Sequence, residues 1–473
     1  MASETVPLLI NNESSVSSST FPVTNPATGK VVHNCSSVSV AEADAAVSAA
    51  AAALLTWKTM TPPKRRDLFL NAAAVMEKRR EELMGYMVEE TGAAPAWAGF
   101  NMAVSIDMLK DIAGRIGNIS GHIPGTNDEG VSALVVKEPF GVVLAIAPWN
   151  APYILGTRSI AYPLAAGNTA ILKGSELSPR IMWAIGSVFQ EAGFPPGVLN
   201  VLFHAPSAAA EITSHLISHN DIRKVNFTGS TNVGRIIGRL CGENLKPVLL
   251  ELGGKAPAIV WEDADVENAA QGCAVGAFLH AGQICMSTER IVVHKNVRSK
   301  FETALQGAVS KIFPGELTLI NTVAVEKNKK LLADAVGKGA KVVTGDPKQE
   351  GTNGTAKMKP VVVSGVTPKM DLYMTESFGP TVSIIEVETE EEALRIANDT
   401  DYGLTSAVFT EDLRRGLRLA KGIETGAVHI NSMSVHDEPT LPHGGAKASG
   451  FGRFNGSAGL DEWLRTKNIT FKH

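Results

Sequence analysis

At 473 residues, with 44% apolar and 19% charged side chains, the chain holds enough material for two or three domains and has the composition of a folded α/β protein, which excludes a disordered or fibrous one. A net charge of -4, with scattered lysines and arginines, argues against nucleic acid as a partner. Cys35, Cys241, Cys273 and Cys285 are too few for a disulfide scaffold and match no zinc spacing, so a reducing compartment and no metal are expected.

Residues 1–20 lack the basic and apolar segments of a secretory signal, and no apolar run suggests a membrane span, so the expectation is a cytoplasmic protein without a membrane partner. Pro26 and Gly29 punctuate a turn between two short extended segments. An alanine-rich helix is expected from Val40 to Trp57, broken by Pro62-Pro63, with a second helical stretch over 64–90 carrying Leu68, Ala72, Val75 and Met76 at helical spacing. From Gly130 the pattern turns to strands. Short apolar runs at 142–147, 170–172, 198–203, 225–227 and 248–250, separated by helix-length segments, predict the βαβ alternation of a doubly wound nucleotide-binding domain. The alternation repeats beyond Gly254, with strands at 258–260, 290–293, 341–344 and 361–363 and helices over 266–280 and 297–312. A glycine-rich loop at 442–452 precedes a last extended piece at 468–471, whose unpaired edge suits a second subunit.

Chemistry-bearing residues fall at the ends of these strands. Asn150, in Pro148-Trp149-Asn150, follows the first strand and carries an amide suited to a developing oxyanion. Lys173 and Glu176 close the next; a carboxylate there accepts from ribose hydroxyls and repels a 2′-phosphate, favouring NAD over NADP. Gly229-Ser230 opens a helix whose amides suit a pyrophosphate, although the G-x-G-x-x-G fingerprint is missing. Glu251 ends a further strand beside Gly253-Gly254 and is a candidate general base. Cys285, behind Gly282-Gln283, is the candidate nucleophile.

Together with Glu376-Ser377-Phe378-Gly379-Pro380, these motifs resemble, in order and approximate spacing, the aldehyde dehydrogenase superfamily, over nearly the whole chain and most closely its salicylaldehyde and vanillin dehydrogenase-like branch. The resemblance implies a Rossmann-like NAD domain formed by 1–119 and 140–252, a catalytic α/β domain over 253–430, and oligomerising segments at 120–139 and 431–473. It implies that Cys285 attacks an aldehyde, Asn150 stabilises the oxyanion and Glu251 activates the hydrolytic water. Trp149, Lys173, Glu176, Gly229, Ser230, Glu376 and Phe378 would hold NAD; Ala151, Tyr153, Leu155, Arg158, Ile284, Met286 and His443 would line the aldehyde site. Tyr153, Phe451, Phe454 and Trp463 supply aromatic surface compatible with a flat substrate ring. The expected partner is a small-molecule aldehyde and the expected assembly a homodimer or homotetramer. The alternatives are an NADP-dependent semialdehyde enzyme, a coenzyme A-acylating relative and a catalytically silent binding protein. One departure stands out: the connection at 313–321 is several residues shorter than the family pattern, and altered packing there is the expected consequence.

Overall fold

A computed structural model describes residues 5–349 and 355–473. Its first layer is an eight-stranded sheet in the order Gly450–Phe451, Val248–Glu251, Ile222–Thr228, Val142–Ile146, Thr169–Lys173, Leu199–Leu202, Leu8–Ile10, Glu13–Ser15. The five interior strands from Val248–Glu251 to Leu199–Leu202 run parallel. Val142–Ile146 and Thr169–Lys173 are buried at every position, because parallel strands covered by helices on both faces need continuous apolar runs rather than alternation. Strand order reverses between Val142–Ile146 and Ile222–Thr228, so a crevice is expected at their carboxyl ends.

A seven-stranded sheet follows in the order Lys341–Thr344, Val361–Ser364, Thr381–Val387, Thr288–His294, Ala256–Val260, Thr405–Phe409, Ala427–Ile430, parallel except at its first pair. The mixed α/β class with two main sheets matches the sequence expectation. Glu251 ends a strand of the first sheet and Ala256 begins one of the second, so the Leu252-Gly253-Gly254-Lys255 link lies at the junction. Gly254 is required there: a Cβ would stand 2.1 Å from the Cys285 carbonyl oxygen.

Helix Val40–Trp57 begins at a capping box in which Ser39 and Glu42 satisfy each other's end groups. By length and composition it reaches the threshold for a membrane span, which the sequence reading had set aside. Ala43, Ala46, Val47, Ala50 and Trp57 nevertheless face the core, and Trp57 Nε1 donates to Leu164 O at 3.1 Å, as in a core helix. The stretch expected as one helix over 64–90 is two, Pro62–Lys78 and Arg80–Thr91, broken at Arg79, and a further helix, Pro95–Arg115, had not been anticipated. The helix expected over 266–280 stops at Phe278, since His280, Ala281 and Gly282 have φ of 48°, 58° and 72°. A ribbon of Val131–Pro139 against antiparallel Leu464–Lys472 stands apart from both sheets.

Candidate active site

The turn after Phe278 delivers the Cys285 loop to the crevice. Gly282 has no alternative, because a Cβ would lie 2.2 Å from Gly379 O. Cys285 is half-buried, whereas Cys35, Cys241 and Cys273 are buried, so it is the one thiol open to a reactant among the described residues. Burial, together with the Glu251 and Glu376 carboxylates, pushes the Cys285 thiol well above its ordinary range; the Arg158 guanidinium opposes them.

Asn150 is buried and donates from Nδ2 to Gln283 O at 3.0 Å, which places its amide against the nucleophile loop. Its own carbonyl accepts from Trp97 Nε1 at 3.1 Å, fixing the backbone from a helix remote in sequence. Glu251 is 1% exposed, and neither carboxylate oxygen has a hydrogen-bond partner. His443 Nε2 stands 3.2 Å from Glu251 Oε1, within ion-pair distance but at an angle outside hydrogen bonding. A buried carboxylate left unpartnered beside a half-open thiol has its lone pairs free for water.

A cleft of about 250 Å³ joins Cys285, Asn150 and Glu251 to Trp149, Gly229, Ser230, Lys327, Glu376 and Phe378. Trp149 and Phe378 meet edge to face at 5.9 Å. Glu376 Oε1 accepts from Gly254 N at 2.8 Å, and a Cβ at Gly253 would lie 2.7 Å from the Glu376 carboxylate, so the cradle admits backbone only. Ser230 caps helix Thr231–Glu243. Helix amides beside a carboxylate and aromatic rings are a donor set that fits a nicotinamide dinucleotide. The loop bearing Glu376 is tied down by Glu289, which accepts from Ser377 N at 2.8 Å and Phe378 N at 3.0 Å and is paired with buried Lys255 at 2.5 Å.

Lys173 and Glu176 lie apart from this cleft. Lys173 Nζ meets His204 Nε2 at 2.6 Å in a buried pair, and Glu176 borders a separate groove with Pro22 and Asn321. Burial lowers Lys173 to about 8, and burial with the Lys173 charge lowers His204 to about 4.

Behind Cys285 is a second, nearly closed pocket of about 20 Å³, room for roughly one water. Ala151, Leu155, Arg158, Ile284, Met286 and His443 line it, as the sequence anticipated. Tyr153 does not. It sits on the opposite face of its helix, fully buried, and donates to Leu83 O at 2.7 Å, so its expected substrate contact is corrected to a core role. Phe451 is likewise misplaced by the sequence reading, 54% exposed on the strand paired with Val248–Glu251. Phe454 and Trp463 pack on each other in the core, Phe454 lying 6.0 Å beneath Arg158. The aromatic wall comes instead from Trp97 and Phe100, stacked at 5.3 Å, on the helix the sequence reading did not anticipate. Arg158 is paired with buried Asp437, so the structural ion pair and the pocket-facing cation are one group.

An α/β fold that brings a thiol, an amide and a buried carboxylate together at its strand-order reversal, beside a cradle for a dinucleotide, defines an oxidoreductase. The Aldehyde dehydrogenase family model matches residues 13–469. The chain belongs to that family. It is 43% identical to a vanillin dehydrogenase of Pseudomonas fluorescens, over 99% of this chain and 98% of the relative. The crystal structure of a salicylaldehyde dehydrogenase from Pseudomonas putida G7, complexed with salicylaldehyde, superposes with a TM-score of 0.95 at 40% identity, over 99% of this chain and 98% of that one. A betaine aldehyde dehydrogenase from Staphylococcus aureus in complex with NAD+ gives 0.94 at 30% identity, over 98% and 95%.

Proposed function

We propose that the protein oxidises an aromatic aldehyde to its carboxylic acid with NAD, through a thiohemiacetal and then a thioester on Cys285. The observation that carries this reading is the lining behind Cys285, where the stacked rings of Trp97 and Phe100 stand with the Arg158 cation at their border; the space open there, about 20 Å³, takes a substrate ring as these side chains part. Flat apolar walls select a planar ring, and a guanidinium suits a phenolic oxygen on it. The relatives named for vanillin and salicylaldehyde support the same class.

Cys285 Sγ, its proton passed to solvent by way of the Glu251 carboxylate, attacks as thiolate and forms the bond to the carbonyl carbon. The carbonyl oxygen becomes an oxyanion, and Asn150 Nδ2, which has a second hydrogen beyond the one given to Gln283 O, donates to it. The C–H bond then breaks and loss of its hydride leaves the thioester; nicotinamide, which Trp149, Glu376 and Phe378 would hold, would supply the acceptor. Glu251 then takes a proton from the water that attacks the thioester, and the C–S bond breaks to free the sulfur as thiolate and the acid. Glu176 and Lys173 would face the far ribose, with the carboxylate repelling a 2′-phosphate. The reading extends to a cytoplasmic homodimer or homotetramer.

NADH formation with salicylaldehyde, vanillin, benzaldehyde and hexanal tests this. Turnover is expected to favour the aromatic substrates and to vanish in Cys285→Ala. A specificity constant for hexanal far above the others would remove the aromatic assignment, and retained oxidation in Cys285→Ala would remove the mechanism. Preference for NADP would reverse the role given to Glu176.

A further inference from the structure

His443 projects from the glycine-rich loop between the two pockets. Its Nε2 stands 3.2 Å from Glu251 Oε1, and no other side chain among the described residues comes within ion-pair distance of that carboxylate. The imidazole also borders the aldehyde pocket with Cys285, Arg158 and Asp437. Its backbone is held on both sides, since His443 N donates to Phe454 O and Phe454 N to His443 O, each at 2.8 Å.

We propose that His443 is a positioning residue for Glu251 that carries away the proton the carboxylate collects during thioester hydrolysis. The inference rests on the aldehyde oxidation proposed above. Water attacks the thioester carbon and gives one proton to Glu251; the C–S bond breaks and the sulfur departs with its electron pair. The proton then passes from Glu251 Oε1 to His443 Nε2, as a turn of the imidazole brings the two atoms into line, restoring the carboxylate, and leaves from the ring to solvent. No electrons are exchanged in this step.

The surrounding charges favour such a transient cation. Glu251 faces it from one strand and Asp437 from the neighbouring loop; burial pushes the Asp437 carboxyl up, but Arg158 and then His443 hold it below its ordinary value. Arg158 is itself paired with Asp437, Arg453 donates to the Gly445 and Gly452 carbonyls, and His429, the remaining nearby imidazole, is lowered to about 4 by burial and by His436. An imidazolium at 443 thus meets two carboxylates and two guanidinium groups, Arg158 already ion-paired and Arg453 already bound to backbone carbonyls.

The test compares wild type with His443→Phe and His443→Gln, the second keeping a polar side chain that neither takes up nor releases a proton. Deacylation is expected to slow on the order of 100-fold in both, the low end of what positioned proton transfer contributes. A stoichiometric burst of NADH should appear, the intact mass should rise by the acyl group, and the acid limb of the kcat profile should shift. In Glu251→Gln, adding His443→Phe should change nothing further. Thermal melting decides folding; if His443→Phe unfolds, His443→Gln alone is read. Wild-type kcat, no burst and an unchanged pH profile, with only the KM for aldehyde altered, would overturn the proposal and leave His443 a substrate contact. Parallel assays with benzaldehyde and acetaldehyde separate the two claims: a wild type active only on acetaldehyde removes the aromatic reading, while the burst experiment still decides His443.

Discussion

At Glu376 burial and the Glu289 carboxylate push the carboxyl up to about 7, against the Gly254 amide, Lys327 and Lys255, which pull it down. The ionised form accepts hydrogen bonds and the protonated form accepts fewer, so the group titrates where the enzyme would work. Cofactor binding is therefore expected to strengthen as pH rises through about 7, with the KM for NAD falling, and Glu376→Gln should flatten that dependence while raising KM. A KM for NAD that ignores pH between 6 and 8 (roughly one unit either side) in wild type would contradict it. Arg158 shows what a sequence can and cannot reveal at this scale. Its helical spacing from Ala151 and Leu155 places it on the pocket, but its partner Asp437 is 279 residues away and nothing local announces it. Both groups are buried, so removing one leaves the other charge uncompensated. Asp437→Ala should cost about 3–5 kcal/mol in urea unfolding, and Asp437→Leu with Arg158→Met should recover much of that. A double variant whose loss equals the sum of the two single losses would show the pair to be uncoupled.

Among the elements, the shortened connection near 313–321 matters more than its surface position suggests. Leu317–Thr318 forms a short strand with Lys357–Met358, and Leu319 is fully buried. The Gln283 side chain reaches it twice, donating to Thr318 O at 3.2 Å and accepting from Ile320 N at 2.8 Å. Because Gln283 O also receives Asn150 Nδ2, the connection, the Cys285 loop and the Asn150 amide form one hydrogen-bonded line. Gln283→Ala leaves Ile320 N buried and unpaired, a loss of about 1–3 kcal/mol. It is expected to lower kcat with little change in aldehyde KM, since it loosens the placement of Cys285 and Asn150; steady-state kinetics on a folded variant would show this, and an unchanged kcat would break the link. The helix Val40–Trp57 was legible because an alanine run and the Ser39-to-Glu42 capping box are local signals. The stop at Phe278 was not, since the backbone of 280–282 turns to fit the Gly379 carbonyl, a neighbour from another segment. Pro95–Arg115 escaped notice for a similar reason: it is packed on several sides, with Trp97, Met102, Ile106, Leu109 and Ile112 all buried, so no single apolar stripe marks it.

For the whole molecule, the two sheets explain why the proposed catalytic groups come from segments far apart: Asn150 follows and Glu251 ends a strand of the first, and Cys285 precedes a strand of the second. The ribbon belongs to neither sheet. Leu464–Lys472 pairs with Val131–Pro139 along its whole length, tied by Lys467 and Arg465 to Glu138 and by Lys137 to Asp461, while nearly every residue of the last strand is exposed. An isolated two-stranded ribbon is marginal in water, and its outer edge presents unpaired amides and carbonyls. Ile469 and Phe471, 43% and 47% exposed, share one face of that strand, and in the oligomer proposed above a second copy of the chain would cover edge and apolar face alike. Ile469→Lys is then expected to lower the sedimenting mass toward one chain at micromolar concentration while the thermal unfolding of the two-sheet body changes little. The strand is too exposed to support the core, and the charge acts only where a partner would press on it. A wild type that already sediments as a single chain, or an Ile469→Lys variant of unchanged mass, would remove the ribbon from the interface.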